Sequence, residues 1–201
     1  MPRFTPLNVH SHYSLLNALP KIPELVSRAK ECSCPALALT DNGNLYGAVE
    51  FYKACRQAGI TPIIGVHAYM AFRTRLDKQA GVDNRRHRLI LLAKNLAGYR
   101  NLLKLVTQSH LEGFYYRPRI DLEILGAHKE GLLAISPAFG SDIRHLLTAR
   151  GEEAARERVA WYRERFGESG FFIEISRHPE IDGHENAMRQ MIHLAKDAGA
   201  P

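Results

Sequence analysis

Short apolar segments alternate with amphipathic segments along the whole chain. The apolar segments are compact rather than alternating with polar residues, which favours strands that are buried on both faces. They lie at 35–40, 60–72, 89–93, 131–136 and 171–175, with a weaker first strand at 7–10. Between them, apolar residues recur at helical spacing, as at Ile22, Leu25, Val26 and Ala29. The alternation predicts βαβ units and a parallel sheet, either open or closed into a barrel.

Two segments interrupt this alternation. Residues 73–87 are polar and predict a connection without regular structure, and residues 113–126 predict a turn followed by a short helix with Asp121 near its start. The sequence ends at Pro201, directly after a predicted helix, where a β/α fold would place its next strand. We therefore expect the sequence to end inside a domain.

Composition limits the class of protein. The chain has 201 residues, of which 45% are hydrophobic and 24% charged, as expected for a globular domain. No apolar run approaches the roughly 20 residues of a membrane helix, and no secretory signal opens the sequence. Three cysteines, an odd number, favour a reducing compartment over a disulfide scaffold. These features predict a cytoplasmic protein without a membrane partner.

The charge is positive and unevenly distributed. The net charge is +6 and the sequence pI about 9.3, which permits contact with phosphate-bearing partners. Within 73–88 six cationic residues are opposed in sequence only by two aspartates. The candidates for DNA binding are Arg73, Arg85, Arg86 and Arg88. The alternative interpretation is a solvated loop with no ligand.

Several histidines fall at the ends of predicted strands, where parallel β/α folds collect functional side chains. Imidazole and carboxylate are the usual ligands of zinc and manganese, so the pattern indicates a metal site. The pattern is of low specificity, because Asp41 is the only acidic residue clearly at a strand end. The sequence contains no phosphate-binding loop of the Walker type, no G-x-G-x-x-G and no G-x-S-x-G. The polar residues at strand ends are Asn8, His10, His12, Asp41, Asn42, His67, His87, Arg88 and His178.

Five segments resemble the N-terminal PHP (polymerase and histidinol phosphatase) domain of the alpha subunit of bacterial DNA polymerase III. They cover most of the chain in order and without large gaps. The segments are NVHSHYSLL at 8–16, PALALTDNGNLYGAVEFYKAC at 35–55, PIIGVHAY at 62–69, LILLAKNLAGYRNLLKLV at 89–106 and GFYYRPRIDLEIL at 113–125. The resemblance implies an α/β fold, a PHP-type distorted β/α barrel truncated at its C-terminus. It also implies that residues 1–201 form one PHP domain, lacking the last barrel strand, at the start of a longer polymerase chain.

The family's metal ligands are mostly replaced in this sequence. The resemblance leaves His10, His67 and His178 as ligands for at most one residual zinc or manganese ion, and it implies no other cofactor here. Asp41 also remains from the family's pattern, and His67 stands where the family has a glutamate. Residues that cannot replace the expected ligands are Asn8, Asn17, Asn42, Arg88 and Ala138.

The resemblance therefore implies a degenerate PHP domain that is a structural and interaction part of a replicative DNA-directed DNA polymerase, a nucleotidyltransferase. Its partners would be DNA, a proofreading exonuclease and a sliding clamp, with magnesium in a separate polymerase domain. The alternative is an active metal-dependent phosphoesterase or 3′–5′ exonuclease, in which metal-bound hydroxide attacks phosphorus. A third interpretation, an unrelated β/α protein, is disfavoured by the length and order of the matching segments.

Overall fold

The computed structural model describes residues 4–201 of the chain. The predicted domain starts at residue 1, and its first three residues lie outside this described part. Seven helices and seven strands occupy the described residues. The helices are α1 Ile22–Glu31, α2 Ala48–Ala58, α3 Leu96–Leu111, α4 Leu122–Ala127, α5 Asp142–Arg150, α6 Glu152–Phe166 and α7 His184–Asp197. The strands are β1 Ala36–Leu39, β2 Thr61–Ala71, β3 Arg86–Ala93, β4 Phe114–Tyr115, β5 Arg117–Ile120, β6 Leu132–Ser136 and β7 Phe171–Ile173.

The strands form one mixed sheet in the order β4-β5-β2-β3-β6-β7, and β1 pairs with the first half of β2. Strand β3 runs antiparallel to both β2 and β6, whereas β2 is parallel to β1 and β5, and β6 is parallel to β7. The α/β fold class is confirmed, but the prediction of a parallel sheet is wrong. A parallel neighbour needs a long crossover that is usually a helix, and the polar connection contains none, so the chain turns back beside β2. This connection covers 72–85 and ends earlier than predicted, because Arg86 and His87 already belong to β3.

The predicted strand at 7–10 is also not a regular strand. The segment lies beside β1, where the N–H groups of Ala38 and Thr40 donate to the carbonyls of Pro6 and Val9 at 3.0 and 2.8 Å. The N–H of Val9 donates to the side-chain Oγ1 of Thr40 at 2.9 Å instead of to a backbone carbonyl. The side chain of Thr40 thus replaces a backbone carbonyl as hydrogen-bond acceptor between the two segments. The segment is therefore irregular but remains hydrogen-bonded to β1.

Both faces of the sheet are buried, as the compact apolar runs predict. On β3, Leu89 and Leu91 belong to a large core with side chains of α3, α6 and α7. The alternate residues Ile90 and Leu92 belong to a smaller cluster on the opposite face, together with Ile135. A buried side chain of this size stabilises the fold by about 1.5–3 kcal/mol. The strand ends are therefore held by packing on both faces.

The segment at 113–126 agrees with its prediction in most respects. A two-strand hairpin, β4 and β5, replaces the expected turn, with Tyr116 at the left-handed φ of 58° between the strands. Asp121 caps α4, and its side chain accepts a hydrogen bond from the N–H of Ile124.

No helix in the described residues combines the length and apolar character that crossing a bilayer requires.

Candidate functional site

The strand ends bring two of the predicted metal ligands into contact with each other. His67 lies on β2, and Nδ1 of His67 is 3.0 Å from Nε2 of His10 in the segment beside β1. The two rings stack with centroids 5.2 Å apart. The N–H of His67 donates to the carbonyl of Asp41 and its carbonyl accepts from the N–H of Gly43, so its backbone is fixed at this end of the sheet.

Both imidazoles are disfavoured as cations. Burial, followed by the positive charges of His10 and Arg88, lowers the pKa of His67 to about 3. Burial also lowers the pKa of His10, a shift that Arg88 increases and that Asp41 and Glu174 oppose. At neutral pH the pair is therefore neutral, and one ring donates a hydrogen bond to the other.

The carboxylate of Asp41 is buried and fully engaged by the segment that precedes it. Its Oδ1 accepts from the N–H of Ser11 at 2.7 Å and from the hydroxyl of Ser14 at 2.6 Å, and its Oδ2 accepts from the hydroxyl of Ser11 at 2.7 Å. Ser14 Oγ in turn accepts from the N–H of Asn42 at 3.0 Å. Asp41 thus fixes the loop that follows His10.

A second carboxylate, Glu174, lies just after β7 and was missed by sequence reasoning. Its Oε1 accepts from the amide of Asn8 at 3.3 Å, and its Oε2 accepts from the N–H of Ala138 at 3.0 Å. Asn8 and Ala138 stand at two positions where the resemblance predicts a metal ligand, and here the side-chain amide of Asn8 and the N–H of Ala138 donate to a carboxylate of the protein. The available signal was an acidic residue directly after the apolar residues of 171–173.

The other residues singled out from the sequence have different positions. Arg88 is half-buried near the histidine pair, with its guanidinium 5.8 Å from the ring centre of Tyr69. Asn17 is exposed and donates to the carbonyl of Leu15 in its own loop. The Oδ1 of Asn42 is buried, and no described residue hydrogen-bonds to it.

His178 is not brought to the histidine pair. Its Nδ1 is 2.8 Å from Glu180, and its ring packs against Phe139 and His184. Among residues 4–201, a single set of three metal-ligating side chains has ligand atoms within 4.8 Å of one another. That set is Glu152, His193 and Asp197, all exposed, and Arg156 already donates to both of its carboxylates.

The predicted basic segment divides into paired and unpaired arginines. Arg73 binds the buried carboxylate of Asp83 with Nε at 2.9 Å. Arg75 binds residues distant in sequence, Glu112 at 2.7 Å, Asp121 at 3.1 Å and Glu123 at 2.9 Å. Arg85 and Arg86 remain exposed and form no salt bridge with any of the residues that the structure describes.

The arrangement of helices packed on a mixed sheet is shared by two solved structures, one described as a phosphoesterase and one as an amidohydrolase. A Bifidobacterium adolescentis protein described as a candidate metal-dependent phosphoesterase matches with a TM-score of 0.61 and 10% identity, covering 99% of this chain and 85% of that one. An amidohydrolase from Chromobacterium violaceum, solved with sulfate and no metal, has a TM-score of 0.61, 13% identity and coverage of 98% and 84%. At these identities the likeness concerns the fold alone.

The PHP domain family model matches residues 6–178, and the chain belongs to that family. DNA polymerase III subunit alpha of Borreliella burgdorferi is 44% identical over 200 residues, which are 99% of this chain and 17% of that protein. The subunit of Treponema pallidum is 41% identical over 199 residues, with coverage of 98% and 17%. The chain thus spans about one sixth of the length of these relatives, and the resemblance to the PHP domain of this subunit is confirmed.

Proposed function

We propose that the chain is the PHP domain of a replicative DNA polymerase and that it is a structural and interaction domain whose own PHP site does not catalyse hydrolysis. The observation that carries the first part is similarity over nearly the full chain. Eight bacterial DNA polymerase III alpha subunits are 39–45% identical over 86–99% of it. The partners are then DNA, a proofreading exonuclease and a sliding clamp, in the cytoplasm.

The geometry of the strand ends supports the second part, because the side chains do not fit a centre of two or three metal ions. Both oxygens of Asp41 and both oxygens of Glu174 already accept hydrogen bonds from the protein. His10 and His67 direct a ring nitrogen at each other rather than at a shared point. Arg88 adds a positive charge beside them, which opposes a bound cation.

One observation favours the alternative of an active metal-dependent phosphoesterase. Nε2 of His67 and Oδ1 of Asn42 are buried, and neither has a hydrogen-bond partner among the described residues. Buried polar atoms normally have a partner, so a water molecule or a single ion could complete them. One ion held by an imidazole and an amide would bind more weakly than in a site of several carboxylates and imidazoles.

The experiment uses the full polymerase of which this domain is proposed to be a part. It compares the wild-type protein with a His10→Ala/His67→Ala variant and with a His128→Ala control outside the site. Zinc and manganese content is measured by elemental analysis after equilibration and removal of excess, and hydrolysis of 3′-labelled DNA is followed in the same preparations. We expect primer extension from deoxynucleoside triphosphates in all three, with equal metal content and equal hydrolysis. Stoichiometric metal or DNA hydrolysis that disappears only in the double variant would establish the phosphoesterase instead. Absence of primer extension in the wild-type protein would refute the polymerase role.

A further inference from the structure

A basic cleft of about 460 Å³ lies between the start of β3 and the start of α5. Arg85, Arg86 and His87 line it from β3 and the residue before it, and Arg144 and His145 line it from α5. Within the described part of the chain, no carboxylate is among the lining residues. Three arginines and no acidic residue are among the described lining residues, so the cleft has a positive potential and attracts anions. The guanidinium of Arg86 also lies 5.5 Å from the ring centre of Tyr69.

The three arginines are positioned but not neutralised. Nη1 of Arg86 donates to the carbonyl of Asn84 at 2.9 Å, and Nη1 of Arg144 donates to the carbonyl of Ala138 at 3.0 Å. Arg85, Arg86 and Arg144 make no salt bridge within residues 4–201. Since a guanidinium group has five N–H donors, most of them remain free for a ligand with several acceptor oxygens.

The start of α5 adds a further positive contribution. Ser141 caps this nine-residue helix and lines the cleft, so the partial positive charge of the helix N-terminus lies at the cleft wall. The acidic residue of the first turn, Asp142, offsets part of this charge, because its Oδ1 accepts a hydrogen bond from the N–H of Ile143 at 2.9 Å. Its carboxylate is buried and is bound by the guanidinium of Arg158 and, at 3.0 Å, by the hydroxyl of Tyr162.

The basic surface extends beyond one cleft. An adjoining cavity of about 310 Å³ shares Phe72, His87 and His145 with the first, and its further charged lining residues are Arg73, Arg150, Arg158 and one acidic residue, Asp142. Arg73 and Arg158 are each paired with an aspartate, whereas Arg150 is exposed at the rim. Within residues 4–201, Arg150 therefore adds one unpaired cation next to the first cleft, which suits a ligand that carries several anionic groups in a row.

We propose that this cleft binds backbone phosphates of a DNA strand. A phosphate oxygen accepts the paired N–H donors of a guanidinium group, and successive phosphates along a strand match cations distributed over two cavities. The proposed contact is with phosphates and not with bases, because the ring of Phe72 in the cleft already packs against His87 and His145 with centroids 5.7 Å away in each case. The choice of DNA among phosphate-bearing polymers rests on the proposed function.

Residue-resolved arginine modification tests this contact in the full-length protein. Phenylglyoxal modification is quantified by mass spectrometry with and without a primer–template duplex, using exposed Arg28 on α1 as the internal control. We expect DNA to reduce modification of Arg85 and Arg86 several-fold, to leave Arg28 unchanged, and to lose its effect at high salt. Equal modification with and without DNA overturns the proposal. So does protection by inorganic pyrophosphate alone with none by DNA, since the site would then take a free anion.

A charge-matched pair of variants gives a second readout. Arg85→Ala/Arg86→Ala removes two cations of the cleft, and Lys53→Ala/Arg56→Ala removes two exposed cations of α2. The dependence of log Kd on log salt should lose about two units of slope in the first variant, about one per phosphate contact, and none in the second. Equal slopes in both variants overturn the proposal. Primer extension by the same preparations tests the polymerase role separately, so failure of the cleft leaves that role standing.

Discussion

The neutral state of His67 makes the stability of the domain depend on pH over a defined interval. In an unfolded chain a histidine has a pKa of about 6.5, whereas burial, with the nearby charges of His10 and Arg88, lowers the pKa of His67 to about 3 in the folded state. Between these values the unfolded state binds a proton that the folded state does not. The contribution of neutral His67 to the free energy of unfolding is therefore fully present above pH 6.5. It is lost as the pH falls toward 3.

The size of the loss follows from the two pKa values. At pH 4.5 the unfolded histidine is almost fully protonated, and linkage gives a cost of about 2.5 kcal/mol relative to pH 7. His67→Asn keeps a hydrogen-bonding side chain but does not titrate, so its free energy of unfolding should fall by about 2.5 kcal/mol less over the same interval. Because burial is the first cause of the shift, His10→Asn should retain most of the wild-type pH dependence.

The measurement is urea-dependent hydrogen exchange of β2 peptides at pH 7 and pH 4.5, which reports this domain within the full-length protein. The difference between wild type and His67→Asn isolates one residue from the carboxylates that also titrate in acid. If both proteins lost the same free energy between the two pH values, His67 would be protonated in the folded state and the neutral pair would be wrong. If added zinc changed the pH dependence of the free energy of unfolding in the wild type but not in His67→Asn, an ion would be the partner of the buried imidazole.

Three further substitutions test the local structure, each measured by the same exchange experiment. Arg119→Met should cost about 3–5 kcal/mol, because this fully buried guanidinium donates to four backbone carbonyls, while exposed Arg117→Ala should stay within about 0.5 kcal/mol. Gly98→Ala should destabilise the domain by about 1–3 kcal/mol, since a Cβ there would lie 2.0 Å from a carbonyl oxygen. Its control is Gly126→Ala, where the nearest atom to the added Cβ is 3.8 Å away. Ser14→Ala should cost about 1.5–3 kcal/mol by removing one of three hydrogen bonds to a buried carboxylate. Equal exchange in a variant and its control, or in Ser14→Ala and wild type, would contradict the corresponding contact.

The elements that the sequence predicted well are those whose signal is local. Compact apolar runs located β1, β2 and β6, and the helical stripe at 22–29 located α1. Asp121 could be placed at a helix start because capping involves residues only three positions apart. The direction of β3 was predicted wrongly although part of its signal was local, since the polar connection before it has no helical pattern and lets the chain turn back beside β2.

The candidate site was predictable in its location but not in its bonding. A position at a strand end was enough to select His10, Asp41 and His67, because strand ends of this fold meet at one edge. Whether a carboxylate has a free oxygen depends on donors elsewhere, as for Glu174, whose partner Asn8 is 166 positions away. The same limitation applies to Arg75, which looks like a free cation in the sequence but binds acidic residues 37 to 48 positions away.

The proposed loss of catalysis and the retention of the fold have a common physical basis. A metal centre at strand ends joins segments that are distant in sequence, and in this chain hydrogen bonds between protein groups do so. Asp41 joins the end of β1 to the loop of Ser11 and Ser14, and Glu174 joins the segment of Asn8 to the loop after β6. Hydrogen bonds to charged groups contribute about 1.5–3 kcal/mol each, which makes these connections comparable to other core interactions. Under the proposed function, a sheet whose strand ends are connected in this way does not depend on a bound ion for these connections.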